Sequence, residues 1–259
     1  MKEQKDVLAE RPAEETLDPE DWGSMRKLGH RMLDDMMEYL ETLRDRPVWQ
    51  HPPHHVKSHF ETSPPPDPQS PEDVYQEYVQ YILPYQLFNS HPRFWGWVLG
   101  TGTVMGMFAE MLGAATNATS GNGSYHSGNY VEMQVLDWCK TMLGYPLTAS
   151  GLLTSGCSAS NLIGLAVARN AKAGFDIRSK GMQAVPQQMT VYCSEETHSS
   201  IQKAIELLGF GSDALRLIPV NDFLQIDLAA LKYAIKSDLR SGLKPICVVG
   251  TAGTTNTGY

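Results

Sequence analysis

Residues 152–161 are the first segment in which residue types and spacing suggest chemistry. They read Leu-Leu-Thr-Ser-Gly-Cys-Ser-Ala-Ser-Asn, which predicts a short strand, a turn of small residues and the start of an amphipathic helix. Backbone N–H groups at a helix N-terminus bind phosphate together with the helix dipole, and a hydroxyl such as that of Ser158 adds a donor. An ordinary N-cap of Ser and Gly explains the same residues equally well. The segment alone leaves both interpretations open.

Two further segments place polar residues where strands are predicted to end. His198 lies between the apolar run 189–193 and a predicted helix. Thr254 lies in the hydroxyl-rich loop 251–258, which follows the apolar run 245–250, a predicted buried strand. Ligands of α/β sheets gather at such strand ends. A lone histidine there is more often an exposed loop residue or a helix cap, and the loop can be a plain turn.

The familiar phosphate-binding motifs do not fit this chain. Gly100, Gly102 and Gly106 have the wrong spacing for a dinucleotide-binding fingerprint, and no lysine follows the small-residue turn as in a P-loop. A phosphate ligand held without these motifs leaves cofactors such as pyridoxal phosphate.

The elements before residue 90 differ from those after it. An amphipathic helix starts at Asp18-Pro19-Glu20, and the Pro-rich stretch 46–71 should run extended and irregular. Ser70 caps a second helix, predicted to end near Phe88. We predict an N-terminal helical segment with a Pro-rich linker over residues 1–90, and a second domain over residues 91–259.

Four histidines in the linker raise the question of a metal site. No carboxylate or cysteine completes a ligand set around them, so we interpret them as part of a solvated linker and expect no metal. They are His51, His54, His55 and His59.

After residue 90, five helical stretches alternate with four short apolar runs. The helical stretches span about residues 103–116, 128–143, 158–172, 199–208 and 227–241. Alternating strands and helices predict an α/β sheet with helices on both faces. The apolar runs span residues 151–153, 189–193, 215–220 and 245–250.

The composition narrows the class of protein. The net charge is −8, and lysines and arginines are scattered, so a nucleic acid is not an expected partner. The four cysteines lie far apart and are interpreted as reduced core thiols. The charged residues 1–15 form no apolar signal region, and no stretch of 18 apolar residues occurs. We expect no membrane association and a cytoplasmic location.

Taken together and in order, four segments resemble the group II pyridoxal-phosphate decarboxylases, the family of aromatic-L-amino-acid, glutamate and tyrosine decarboxylases. The resemblance covers most of residues 20–259. It is carried by His91-Pro92-Arg93-Phe94-Trp95-Gly96, Leu153-Thr154-Ser155-Gly156-Cys157-Ser158, Glu196-Thr197-His198-Ser199-Ser200 and Thr251-Ala252-Gly253-Thr254-Thr255-Asn256-Thr257-Gly258.

The resemblance implies an α/β fold, namely an incomplete large domain of the aspartate aminotransferase-like fold type I, preceded by an N-terminal helical segment. It implies loss of the α-carboxylate of an L-amino acid as CO₂ through an external aldimine, with the pyridine ring of pyridoxal phosphate taking up the electrons. It also implies a homodimer for the full-length form, with the N-terminal helices packing across the dimer.

The resemblance also assigns roles to residues of this chain. Family members often have Gly or Ala where Cys157 stands and an acidic or other polar residue where Ala159 stands. The implied roles are Cys157 and Ser158 at the cofactor phosphate, His198 stacked on the pyridine ring as the catalytic residue, Thr254 approaching the cofactor from its loop, and Trp95 and Trp97 bordering the substrate pocket.

In this family an aspartate at the pyridinium nitrogen and a Schiff-base lysine of a His-Lys pair follow the Gly-Thr-Thr loop, which places both beyond Tyr259. The lysines inside the predicted helices occupy polar positions, so we interpret them as solvated. We therefore expect a truncated chain that is inactive alone and poorly soluble, since apolar edges stay uncovered. The lysines in question are Lys140, Lys172, Lys203, Lys232 and Lys236.

Three alternatives remain open at this point. The first is another fold type I enzyme, such as an aminotransferase or a desulfurase, and the second is a non-catalytic homologue that keeps only the scaffold. The third is an α/β domain that binds another phosphorylated ligand through residues 155–160. Trp95 and Trp97 favour an aromatic or bulky amino acid over glutamate as substrate, although aromatic side chains there also suit a core.

Overall fold

The computed structural model describes residue 16 and residues 18–119 and 126–259. The chain divides into two compact units, with the division between Phe94 and Trp95. The boundary predicted from the sequence lies four residues earlier, at residue 90. The division therefore falls inside the segment His91-Pro92-Arg93-Phe94-Trp95-Gly96.

The first unit begins with helix α1, Trp22–Glu41. Its N-cap is Asp21, whose carboxylate accepts the N–H of Gly23 at 2.8 Å, so the helix starts a few residues after the predicted Asp18. The C-terminal end of α1 packs into a small core formed by Tyr39, Leu43 and Phe88.

The linker contains a helix that the sequence did not predict. Helix α2 spans His54–His59 inside the stretch 46–71, where we expected extended chain. Pro53 precedes the first turn, a position where the missing N–H costs nothing, and burial of Val56 anchors the turn. The ring of His59 stacks on Tyr81 with 4.0 Å between centroids. The described residues contain no group of His, Cys, Asp and Glu able to hold a metal ion.

Helix α3, Pro71–Glu77, starts at the predicted cap, where the hydroxyl of Ser70 accepts the N–H of Asp73 at 3.1 Å. The predicted α-helix to Phe88 does not form. The chain continues as a π-helical turn, Tyr78–Ile82, and a 3-10 turn, Leu83–Tyr85. Pro84 lacks the N–H that a continuing α-helix would need, so the regular pattern ends there.

In the described residues, the second unit begins with four α-helices, after which strands and helices alternate as predicted. Its elements are α4 (Val104–Thr116), α5 (Ser127–Met142), α6 (Cys157–Lys172), α7 (Ile177–Lys180), β1 (Met189–Ser194), α8 (Ser200–Leu207), β2 (Leu215–Ile218), α9 (Leu228–Arg240) and β3 (Lys244–Val249).

The three strands form a parallel sheet in the order β2-β1-β3. Every residue of the central strand β1 is buried, and successive side chains point to opposite faces. Met189, Val191 and Cys193 pack against α6 and α8, whereas Tyr192 packs against Leu231 of α9. Helices therefore cover both faces, which confirms the predicted α/β architecture.

A buried polar cluster ties the sheet to α9. The hydroxyl of Tyr192 donates to Asp238 at 2.6 Å and lies 2.9 Å from the hydroxyl of Thr190. The guanidinium of Arg216, on β2, donates to the same carboxylate at 3.0 Å. Burial disfavours the charged carboxylate, but the hydrogen bonds from Tyr192 and Arg216 outweigh it, so the pKa of Asp238 is lowered.

Three expectations about this unit were wrong. Residues 151–153 form no strand in the described part of the chain. Strand β3 is not buried, because it lies at an edge of the three strands, and Val248 is 48% exposed. Of the predicted core thiols only Cys193 is buried, and Cys157 is exposed.

No helix in the described ranges is long and apolar enough to span a membrane.

Candidate cofactor site

The N-terminus of α6 offers backbone donors without acceptors. The first backbone bond of the helix runs from the N–H of Ser160 to the carbonyl of Gly156 at 3.1 Å, which leaves the N–H groups of residues 157–159 without helical acceptors. Among the described residues no side chain caps this helix, and its first turn contains no acidic residue. The donors and the positive end of the dipole fit a phosphate group.

The turn before α6 is held by two polar contacts. The hydroxyl of Thr154 donates to the carbonyl of Gly156 at 3.1 Å and lies 2.6 Å from the hydroxyl of Ser160. Just upstream, the N–H of Leu153 donates to the carboxylate of Glu132, on α5, at 2.8 Å. These bonds fix the direction in which the chain enters the helix.

His198 lies in the connection between β1 and α8 and is exposed. Its Nδ1 lies 2.9 Å from the hydroxyl of Ser200 and accepts the N–H of Ser200 at 3.2 Å. The same hydroxyl accepts the side-chain N–H of Asn161, on α6, at 2.9 Å. Helix α6 is thus joined to His198 through Asn161 and Ser200.

A cavity of about 540 Å³ in the second unit contains two of the predicted site residues, His198 and Trp97. Thr255 and Asn256 of the loop 251–258 also line it. The N–H of Val98 donates to the carbonyl of Thr255 at 3.0 Å, so this loop and the aromatic segment lie side by side.

The other predicted site residues lie outside this cavity. Cys157 and Ser158 are exposed on the first turn of α6, and Trp95 is 90% exposed. Thr254 is 4% exposed, bonds to the hydroxyl of Thr257, and lines a second cavity of about 620 Å³ with Ser194. The hydroxyl of Thr254 is therefore already engaged within its own loop.

The predicted environment of one lysine was wrong. Lys140 is not solvated, because its ammonium donates to the carbonyls of Leu147 and Ala149 at 3.0 Å and pairs with Asp137 at 2.7 Å. The other four lysines of that prediction are exposed. Among the described lysines, none lines either cavity.

Burial raises the pKa of the Cys193 thiol, which makes that side chain a poor nucleophile.

The sequence interpretation missed the roles of Asn161 and Ser200. Asn161 lies one helical turn after Cys157, with its side-chain nitrogen 3.5 Å from the Cys157 sulfur, which is a local signal that could have been noticed. Its bond to Ser200 spans 39 residues of sequence, and no sequence pattern predicts that pairing.

Several known proteins are similar to this chain in sequence. Residues 53–259 match the family model described as the pyridoxal-dependent decarboxylase conserved domain. The chain is 31% identical over 240 residues to an aromatic-L-amino-acid decarboxylase of Bacillus atrophaeus, covering 90% of this chain and 47% of the relative. It is 28% identical to tryptophan decarboxylase 2 of Oryza sativa subsp. japonica, covering 94% and 50%. The chain thus spans about half the length of these curated relatives.

Solved structures show the same fold. The structure of Oryza sativa TDC with PLP and tryptamine matches with a TM-score of 0.80 at 24% identity, covering 94% of this chain and 51% of that one. Catharanthus roseus tryptophan decarboxylase in complex with L-tryptophan matches with a TM-score of 0.81 at 24% identity, covering 93% and 52%. These matches confirm the predicted fold type I domain, of which this chain represents part. With the family model covering residues 53–259, the chain belongs to the pyridoxal-dependent decarboxylase family.

Proposed function

We propose that this chain is part of a carboxy-lyase that removes the α-carboxylate of an L-amino acid as CO₂, with pyridoxal 5'-phosphate as cofactor. The observation that carries the proposal is the open N-terminus of α6, joined through Asn161 and Ser200 to His198. Membership of the family supports it.

The chain's own residues would bind and orient the cofactor. The backbone N–H groups of residues 157–159 and the hydroxyl of Ser158 would hold the phosphate. His198 would lie against the pyridine ring, and Thr254 would approach from its loop. The bound cofactor supplies an electron sink for the electrons left behind when the carboxylate departs.

We further propose an aromatic L-amino acid as substrate. Trp97 lines the cavity that contains His198, and Trp95 is close to it in sequence. Two of the relatives are named for aromatic amino acids or tryptophan, although another, at 32% identity, is an L-2,4-diaminobutyrate decarboxylase of Acinetobacter baumannii. A panel of amino acids must therefore include both kinds.

The test is to supply carboxyl-labelled amino acids and pyridoxal phosphate to the complete gene product. We expect the label to appear in CO₂, fastest from an aromatic amino acid, and the matching amine to accumulate. Transfer of the amino group to a 2-oxo acid, with no label in CO₂, would indicate an aminotransferase. Release of label from no amino acid, together with normal cofactor binding, would support the scaffold-only alternative.

The lysine content bears on the isolated chain. Among the described lysines none lines a cavity with His198 or Thr254, so we propose that these 259 residues alone do not catalyse decarboxylation. The same assay on the 259-residue chain checks this proposal, and steady release of labelled CO₂ would contradict it.

We propose that the full-length form is a homodimer. In the first unit, α1 and α3 line an apolar cavity of about 680 Å³ that includes Met25, Met32, Met36 and Val74. An apolar surface of this kind is typical of a packing interface. Light scattering during gel filtration should give twice the mass of one chain, and a monomer at micromolar concentration would contradict the proposal.

We also propose a cytoplasmic location. All four cysteines of the chain are free thiols, which suits a reducing compartment. Cell fractionation checks this, with recovery in the soluble cell extract as the expected result.

A further inference from the structure

The hydrogen bonds around His198 have a direction that the atoms themselves impose. The backbone N–H of Ser200 lies 3.2 Å from Nδ1 of His198, and a backbone N–H is always a donor. Nδ1 must therefore present its lone pair. The neutral ring then carries its proton on Nε2.

The rest of the chain of bonds follows from this first one. Since Nδ1 is an acceptor, the hydroxyl of Ser200 donates its proton to it over 2.9 Å. The hydroxyl oxygen is then left to accept, and the side-chain nitrogen of Asn161 donates to it at 2.9 Å. This order assigns the amide orientation of Asn161, because a carboxamide oxygen facing Ser200 would require the opposite direction.

Burial makes this arrangement specific. Ser200 is 3% exposed, so its hydroxyl does not exchange its partners for water without cost. Asn161 has a second amide hydrogen, directed at the sulfur of Cys157 at 3.5 Å. One side chain thus connects the phosphate-binding turn to the residue that would face the cofactor ring.

We infer that Asn161 and Ser200 are positioning residues, which hold the ring of His198 in one plane and select the tautomer with the proton on Nε2. The inference rests on the proposed function, since it gives His198 a ring to face. An imidazole ring held in one plane can lie flat against a planar ligand. Neither Asn161 nor Ser200 is required to touch the ligand.

The first test needs no ligand. Two-bond ¹H–¹⁵N correlation spectra of the ¹⁵N-histidine-labelled chain are recorded at about pH 8.5, where imidazole is neutral. They should show Nδ1 of His198 unprotonated and Nε2 protonated. The signal of His198 is assigned by its loss in His198→Ala. Ser200→Ala and Asn161→Ala should shift the Nδ1 resonance, whereas Ser199→Ala, a neighbouring exposed serine, should not. A proton on Nδ1 in the unmodified chain would overturn the inference.

The second test asks whether the two residues act through His198. Binding of pyridoxamine 5'-phosphate is measured by calorimetry in a double-mutant cycle. We expect Ser200→Ala and Asn161→Ala each to weaken binding about threefold to tenfold, and to have no further effect in the His198→Ala background. Full additivity would overturn the positioning role. A third outcome separates the two proposals. If the unmodified chain does not bind pyridoxamine 5'-phosphate but Nδ1 of His198 is unprotonated as expected, the proposed function fails and the hydrogen-bond arrangement stands.

Discussion

At the scale of single residues, the proposed phosphate site depends on the charge of the first turn of α6. Ser158 lies on that turn, and no acidic residue stands beside it. A carboxylate about 4 Å from a phosphate costs about 4 kcal/mol at an effective dielectric constant of 20. Ser158→Asp should therefore weaken binding of pyridoxamine 5'-phosphate at least about tenfold.

The control for this prediction is Ser158→Asn, which has nearly the same shape and no charge. An aspartate at a helix N-terminus also stabilises the helix itself. The melting temperature of Ser158→Asp should not fall, which separates a loss of binding from a loss of folding. Equal affinities for the Asp and Asn variants would argue against a phosphate at this turn.

Sequence was informative at this scale only where the signal is local. The turn and helix start at residues 154–158 follow from small residues in succession, because capping and dipole effects act within one turn. The contact of Asn161 with Ser200 depends on how α6 packs on α8, and two helices separated by a strand carry no shared pattern. The occupied hydroxyl of Thr254 likewise became visible only in three dimensions.

At the scale of elements, the polar cluster of Tyr192 and Asp238 links the central strand to α9. Tyr192→Phe removes a hydrogen bond to a buried carboxylate and should destabilise the second unit by about 1.5–3 kcal/mol. Urea unfolding measures this. Tyr233→Phe, on the exposed side of the same helix, is the matched control and should stay within about 0.5 kcal/mol of the unmodified chain.

The same cluster predicts how stability depends on pH. Burial and the hydrogen bond to Asp238 raise the pKa of Tyr192 from 10.0 to about 12. Because the pKa of Tyr192 is higher in the folded than in the unfolded protein, its contribution to stability is complete below the unfolded pKa. That contribution is lost as pH rises through the folded pKa. Unfolding free energy should fall between about pH 10 and pH 12, and less so in Tyr192→Phe. An unchanged alkaline limb in that variant would contradict the assignment.

The acid limb tests the partner carboxylate. Because the pKa of Asp238 is lowered, its contribution is present above the ordinary value of 3.8 and is lost as pH falls through the folded pKa. Asp238→Asn should therefore be less stable at neutral pH and should show a shallower loss of stability in acid. Urea unfolding at a series of acidic pH values measures both effects.

The long helices of the second unit could be predicted for a physical reason. The helices α4, α5, α6, α8 and α9 begin and end within two residues of the predicted positions, because capping and apolar periodicity are properties of the segment itself. A strand needs a partner, so the apolar run 151–153 could not be distinguished from extended chain. Helix α2 was missed because burial of Val56 outweighs the signal of the surrounding prolines.

At the scale of the whole molecule, the second unit exposes large apolar side chains around the end of α5. Met142 and Leu143 are 77% and 79% exposed, and Trp138 and Tyr145 are exposed nearby. Apolar surface of this extent promotes association. We expect the 259-residue chain to self-associate with rising concentration and to bind a hydrophobic dye.

The variant Met142→Lys, with its charge at a helix C-terminus, should reduce that association without lowering the melting temperature. Gln134→Lys, which adds the same charge to an exposed polar position of α5, is the control. Sedimentation velocity at several concentrations provides the measurement. Equal self-association of the two variants would mean that the associating surface lies elsewhere on the molecule.

The family could be predicted from the sequence because four separate segments occur in a fixed order. Which of their residues meet could not, since that depends on the packing of α6, α8 and the loop 251–258 around the sheet. Trp95 and Trp97 illustrate this, as only Trp97 lines the cavity with His198.

The most direct measurement is a calorimetric comparison of pyridoxamine 5'-phosphate with pyridoxamine on the unmodified chain. Both ligands are amines and form no Schiff base with surface lysines, so the comparison isolates the phosphate. Open backbone donors on α6 predict that the phosphorylated ligand binds at least about tenfold more tightly. Equal affinities, or no binding of either ligand, would contradict a cofactor site at this helix.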